Sequence, residues 1–411
     1  MHVAEDRQVY FDGLRGIAAL NVALSHFVVA FAFAIYTGSP EHSHGVGEIE
    51  LSAYPFMFIG AGANFAVCIF LALSGFVLAK AFHFSKLSIW GLVLKRSLRL
   101  GLPVLAAGLL GWIFLKSGLI FNADIAAATR SDWLAGQFTQ RNPAFTDGLR
   151  QAYNSLIGSV THQNTYNSAL WTMPIEFMGS LVLIIFFGTG ISRKNRVVAG
   201  LLLVLMGALF ARTYVAIMFF GASAYLLQAE RLSQHLRWKF AYLIVICAIG
   251  TVPFSGARGY VWDAIVGVVD LVPAIEWRLP GFINQGNVSL WHAVAAVTLV
   301  VLLSGWKQAQ AMLSSPVFTW LGQISFPLYL THVPALFSAG CFGMMSALEA
   351  GATYGAAVAI AFLAYLPTAI ALALLMERWV DRNAIKIADE ISKTMTRSQI
   401  KPNGGSVPVI S

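Results

Sequence analysis

The sequence predicts an all-α protein: a polytopic transmembrane bundle of about ten spanning helices with both termini cytoplasmic. Three observations predict it. Hydrophobic residues fill 57% of the 411 positions and charged residues only 11%, about half the charged share of a soluble chain. Apolar runs near the roughly 20 residues that a spanning helix requires recur from end to end. The basic residues are also divided unevenly between alternate loops.

The runs fall at 14–36, 61–80, 98–116, 169–188, 196–212, 213–227, 239–255, 288–305, 316–340 and 352–376. The first carries no basic leader and no small-residue cleavage site before it, so it reads as a retained helix. The second and third are joined by a short basic segment holding Lys80, Lys86, Lys95, Arg96 and Arg99. The fifth and sixth are short and tightly joined. Two long outer loops, 117–168 and 256–287, contain amphipathic stretches at Asp147 to Val160 and Asp263 to Trp277, which read as surface-lying helices or a lid. With the N-terminus inside, twenty of the Lys and Arg residues fall in cytoplasmic stretches and seven in outer ones, as the positive-inside rule expects. Residues 1–380 form the transmembrane domain. Residues 381–411 form a cytoplasmic tail, amphipathic at first and disordered at its Lys401-Pro402-Asn403-Gly404-Gly405 end.

The chemistry is concentrated in a few polar side chains. Arg15 and His26 stand eleven residues apart in the first run, which on a helix brings them to within about 20° of one face and about 16 Å apart. A cation at the membrane surface then lies beneath an imidazole deep in the bilayer, where an ionisable group marks a functional site. His26 falls about 18 Å above the cytoplasmic end of its helix, and Glu176 about 10 Å below the outer surface on a descending helix. In a core about 30 Å thick these depths are similar. His332 lies somewhat nearer the outside.

A second cluster lies near the cytoplasmic edge: Arg15, Arg96 and Arg99, with Ser74 and Lys80. Guanidinium and ammonium groups at one edge suit a phosphate-bearing ligand. The deeper His and Glu suit proton transfer. Plainer readings compete. Arg96 and Arg99 also fit as positive-inside residues, Arg15 as a snorkelling cation, Ser74-Gly75 as a helix-packing notch, and His332 as a packed histidine bonded to Tyr329 or a neighbour.

Other functions find less support. The net charge of +8 follows from topology, without nucleic acid. The three cysteines suggest neither a disulfide framework nor a metal site. His42 and His44, with Glu41 and Glu48, read as solvated loop, and His292 has no partner visible in the sequence.

These residues fall in motifs that resemble the acyltransferase 3 family of integral-membrane acyltransferases. Phe11-Asp12-Gly13-Leu14-Arg15-Gly16 through His26 looks like the family's opening motif. Phe70-Leu71-Ala72-Leu73-Ser74-Gly75-Phe76 looks like its second-helix motif. Leu170-Trp171 through Glu176 resembles its Trp-to-Glu motif, and Leu321-Gly322-Gln323 through Thr331-His332 its late motif. The four occur in order along nearly the whole chain. The chain departs from the family pattern at Phe177, where a second acid is frequent, in the stretched Arg99-Leu100-Gly101-Leu102-Pro103, and at Phe326-Pro327.

The resemblance implies a membrane-embedded O-acyltransferase. It would move an acyl group, by family habit acetyl, from cytoplasmic acyl-CoA to a hydroxyl of a cell-envelope glycan or related acceptor. It further implies a multi-pass protein of a bacterial plasma membrane, with acyl-CoA as a substrate and no tightly bound cofactor. His26 and Glu176 are then the expected catalytic residues. Arg15, Arg96, Arg99 and Ser74 are expected to bind the CoA donor, and Trp171, Tyr329 and His332 to line the substrate. Direct transfer and an acyl-histidine route both fit. The rivals are a transporter of a glycan, lipid or ion, which also buries ionisable groups but would show paired broken helices, and a membrane scaffold.

Overall fold

In a computed structural model the described residues are 8–45, 47–53, 62–138, 143–158, 166–253, 263–264, 266–268, 275, 277, 279 and 281–400. Among them the protein is helical throughout, and the one extended pairing is an isolated bridge between Thr213 and Asn284. Among the described residues seven helices are long and apolar enough to cross a membrane, and three shorter apolar helices accompany them. These ten correspond in order to the ten apolar runs of the sequence.

The helices that build the bundle are α1 (Val9–Phe31), α2 (Ala63–His83) and α3 (Ile89–Lys116). A short α4 (Asp132–Ala135) and the amphipathic α5 (Phe145–Ile157) follow. Next come α6 (Met173–Gly188), α7 (Arg196–Leu209), α8 (Val215–Leu226) and α9 (Lys239–Gly250). The series ends with α10 (Asn287–Ser304), α11 (Pro316–Ala335), α12 (Tyr354–Met376) and α13 (Arg382–Ile400). A π-turn at Leu336–Gly340 carries α11 on into Cys341–Glu349.

Small residues let the backbones approach, as in other membrane bundles. On α1, Gly16 meets the Gly322 nitrogen of α11: a Cβ there would stand 2.6 Å from it. On α2, Gly75 faces the Met218 carbonyl of α8, and on α8 Gly221 faces the Ala72 carbonyl of α2. The α1–α11 pair runs parallel and in register. Gly16 opposes Gly322 and, ten residues further along both helices, His26 meets His332.

One expectation changes. Helix α3 begins at Ile89, nine residues before the apolar run at 98–116. Lys95, Arg96 and Arg99 lower the hydropathy of its first turns without interrupting the helix, and the Ser88 side chain caps its start. Arg96 therefore sits two turns inside α3. The tail is folded at least as far as Ile400. Helix α13 packs on α3, burying Ala384 and Ala388 and joining Lys95 to Asp389 at 2.8 Å. Residues 401–411, where the disordered end is expected, lie outside the described residues. The first amphipathic stretch is α5, which lies on α3 with Gly108 against Ala152 and leaves Phe145, Leu149 and Tyr153 exposed. Most of Asp263 to Trp277 lies outside the described residues.

Candidate active site

The centre of the site is a pair of imidazoles. His26 Nδ1 lies 2.8 Å from His332 Nε2. The ring centroids are 5.0 Å apart and the planes differ by 22°, as expected of two rings joined edge to edge by a nearly in-plane N–H···N bond. His332 is fully buried, and its Nδ1 donates to the Leu328 carbonyl at 3.1 Å. His26 is half-buried. The indole of Trp133 lies parallel to it, with centroids 5.2 Å apart and an 18° interplanar angle.

Trp133 comes from the long loop after α3. It is held there by Ser131, whose hydroxyl donates to the Val29 carbonyl of α1 at 2.7 Å and accepts from the Leu134 amide, capping α4. Its neighbour Asp132 lies 3.3 Å from His42 Nε2. Sequence reading missed Trp133. A single indole within a long loop has no periodicity to mark it, and only the Ser131-Asp132 helix-start signal falls nearby.

The Trp-to-Glu segment is docked on α11. Pro334 has no amide hydrogen, so the Leu330 carbonyl four residues earlier receives no helical bond from it. Asn167 donates its side-chain amide to that carbonyl at 2.6 Å. The Tyr329 hydroxyl donates to the Ala169 carbonyl at 2.9 Å and accepts from Thr172 at 2.7 Å. Tyr329 is thus buried and engaged in fixing a 3₁₀ turn, Ser168–Thr172, from which α6 begins. Trp171 meets Tyr214 edge to face at 5.2 Å. Tyr214 in turn donates to Asn64 at 2.5 Å, and the Asn64 amide donates to His292 at 3.0 Å. His292, which had no partner visible in the sequence, belongs to this buried network and donates from Nε2 to the Val252 carbonyl at 2.9 Å.

Glu176 is held by side chains of α2 and α3. Its carboxylate accepts from Ser74 and pairs with Arg96. It therefore joins Arg96 of the basic cluster. The early start of α3 at Ile89 puts Arg96 on the helix, where it reaches Glu176 of α6. The two readings of Ser74-Gly75 divide between the two residues: Gly75 is the packing notch, and Ser74 bonds Glu176.

Arg15 lies 3.9 Å from Asp12 and is partly exposed. Arg99 is exposed and lies within the fields of Arg96, Arg15, Asp381 and Asp389. The three arginines of the expected donor-binding set therefore gather at one end of the bundle. Among the described residues no group of three or more His, Cys, Asp or Glu side chains is arranged to hold a metal. His42 bonds Thr37 at 3.0 Å, and His44 bonds the Ala128 carbonyl and stacks on Tyr354.

Comparison with known proteins agrees with the class of this site. Over 58% of this chain it is 24% identical to the O-acetyltransferase PaAT-1 of Phomopsis amygdali, covering 51% of that protein, so the match spans about half of that relative's length. It is 22% identical to acyltransferase R4 of a Phoma species over 95% of this chain and 97% of that protein. No solved structure matches. The acyltransferase 3 model, described as an acyltransferase domain, matches residues 8–378, nearly the whole chain, and the protein belongs to this family of membrane acyltransferases.

Proposed function

We propose that the protein is an O-acyltransferase that moves an acyl group, acetyl in the first instance, from cytoplasmic acyl-CoA to a hydroxyl of a cell-envelope glycan or related acceptor. The orientation that serves this is both termini cytoplasmic, in a plasma membrane, with the arginine end facing the cytosol. The observation that carries the reading is the His26–His332 bond of 2.8 Å, on the same helix face as Arg15 and eleven residues further along α1. One of the relatives is named an O-acetyltransferase, which supports acetyl as the group transferred.

Arg15 and Arg99 hold the CoA phosphates, since guanidinium pairs well with phosphate oxygens. Arg96 is engaged by Glu176 and supports the wall of the site. The pantetheine arm then extends along α1 toward His26. The acceptor hydroxyl attacks the thioester carbonyl carbon and passes its proton to His26. The tetrahedral intermediate collapses by breaking the C–S bond. The leaving CoA sulfur takes the proton back from His26, leaving an ester and free CoA.

The test supplies labelled acetyl-CoA to membranes containing the protein or its His26→Ala variant, and follows label in envelope glycans by mass spectrometry. Label with the parent protein and none with His26→Ala is expected. Equal labelling by both, or no label in any acceptor with the parent, would overturn the reading.

A further inference from the structure

We infer that His332 is the positioning residue of the reaction: it fixes which nitrogen of His26 takes the proton. The inference rests on His26 being the base, as proposed above.

The argument is one of hydrogen-bond accounting. The Leu328 carbonyl can only accept, so His332 Nδ1, 3.1 Å away, must carry a hydrogen. A fully buried neutral imidazole has one N–H and one lone pair, so His332 Nε2 is an acceptor. His26 Nδ1, 2.8 Å from it, must then be the donor. The lone pair of the neutral His26 ring falls on Nε2, on the far side from His332. The chain of bonds runs from a backbone carbonyl through two imidazoles to the reacting nitrogen, and every donor in it has one acceptor.

The arrangement does the work that a carboxylate does beside a catalytic histidine, holding ring and tautomer. It does so without a second charge in the membrane, where a carboxylate would be costly. When His26 takes the acceptor proton, its Nδ1–H still points at the His332 lone pair, and the bond becomes charge-assisted. The near coplanarity of the rings, 22° apart, keeps that bond in the plane of both lone pairs. The carbonyl that starts the chain belongs to the helix carrying His332, so it moves with that residue. Trp133, parallel to His26 at 5.2 Å, restricts the remaining rotation of the ring.

The experiment compares His332→Ala, His332→Gln and His332→Asn with the parent and with His26→Ala, in detergent, measuring kcat, KM for acetyl-CoA and thermal stability. Glutamine reaches far enough to place its side-chain oxygen where Nε2 stood, whereas asparagine is one methylene too short. His332→Ala and His332→Asn should lose about 100-fold in kcat, the low end of what positioned proton transfer contributes, with KM for the donor unchanged. His332→Gln should recover most of that loss. Parent-like kcat in His332→Ala would overturn the inference, as would a folded His332→Gln no better than His332→Asn. Because His26→Ala is measured alongside, an active His26→Ala removes the base itself. An inactive one beside an active His332→Ala removes only the positioning role.

Discussion

Gly16 rests on the backbone of Gly322, and this contact sets the register in which His26 meets His332 ten residues further along α1 and α11. An added methyl at Gly16 would stand 2.6 Å from the Gly322 nitrogen and from the Leu321 Cβ. Neither is the flexible end of a side chain. Gly16→Ala must therefore separate the two helices. Overpacking of this kind costs about 1–3 kcal/mol, which should appear as a lower melting temperature in detergent. Transfer activity should fall further than stability, because a hydrogen bond of 2.8 Å tolerates little separation. Unchanged melting and unchanged transfer in Gly16→Ala would refute the role of this contact.

Arg96 and Glu176 make the second prediction. Both side chains are mostly buried, 14% and 16% exposed. Removing one partner of such a pair leaves a charge without compensation, at a cost of about 3–5 kcal/mol. Arg96→Ala and Glu176→Ala should each be strongly destabilising, and the double variant much less so than their sum. Glu176→Gln keeps an oxygen for Ser74 and should cost less than Glu176→Ala. Additive losses in a double-mutant cycle would show that the pair is not coupled.

Much of this arrangement could be read from the sequence, and the exceptions have physical causes. The ten apolar helices follow from hydropathy because lipid leaves the backbone little choice but helix. Arg15 and His26 share a face because one helix carries both, and helical spacing needs no tertiary knowledge. The His26–His332 bond joins residues 306 positions apart. It depends on two glycines allowing parallel helices to close up, which no local pattern specifies. Hydropathy registers the charges of Lys95, Arg96 and Arg99 as the end of a span, while the helix itself continues back to Ile89. Trp133 acts from the short α4 against a ring, and Asn167 from a loop on a carbonyl freed by a proline, and their partners lie on other elements.

Donor binding gives the third prediction. Arg15 and Arg99 lie at the end of the bundle assigned to CoA phosphates, and Arg99 is exposed. A hydrogen bond to a charged group contributes about 1.5–3 kcal/mol, so Arg99→Gln or Arg15→Gln should raise KM for acetyl-CoA by about 10- to 100-fold while kcat changes little. The parent's KM should also rise with ionic strength, and each variant's should rise less, since an exposed charge is screened by salt. A loss confined to kcat would place these arginines in the chemical step instead.

The docking of the Trp-to-Glu segment on α11 gives the last prediction. Asn167 donates to the Leu330 carbonyl at 2.6 Å, the carbonyl that Pro334 leaves without a helical donor. Asn167→Ala orphans a buried acceptor, which costs about 1–3 kcal/mol. It should also loosen the turn that positions Trp171 and Glu176, so both melting temperature and transfer rate should drop. Pro334→Ala restores an amide hydrogen at the position that can bond Leu330 within the helix. In that background the acceptor is already satisfied, so Asn167→Ala should cost clearly less. If Asn167→Ala is equally damaging with and without Pro334, the side chain holds the segment by some contact other than this bond, and the proline has no part in shaping the site.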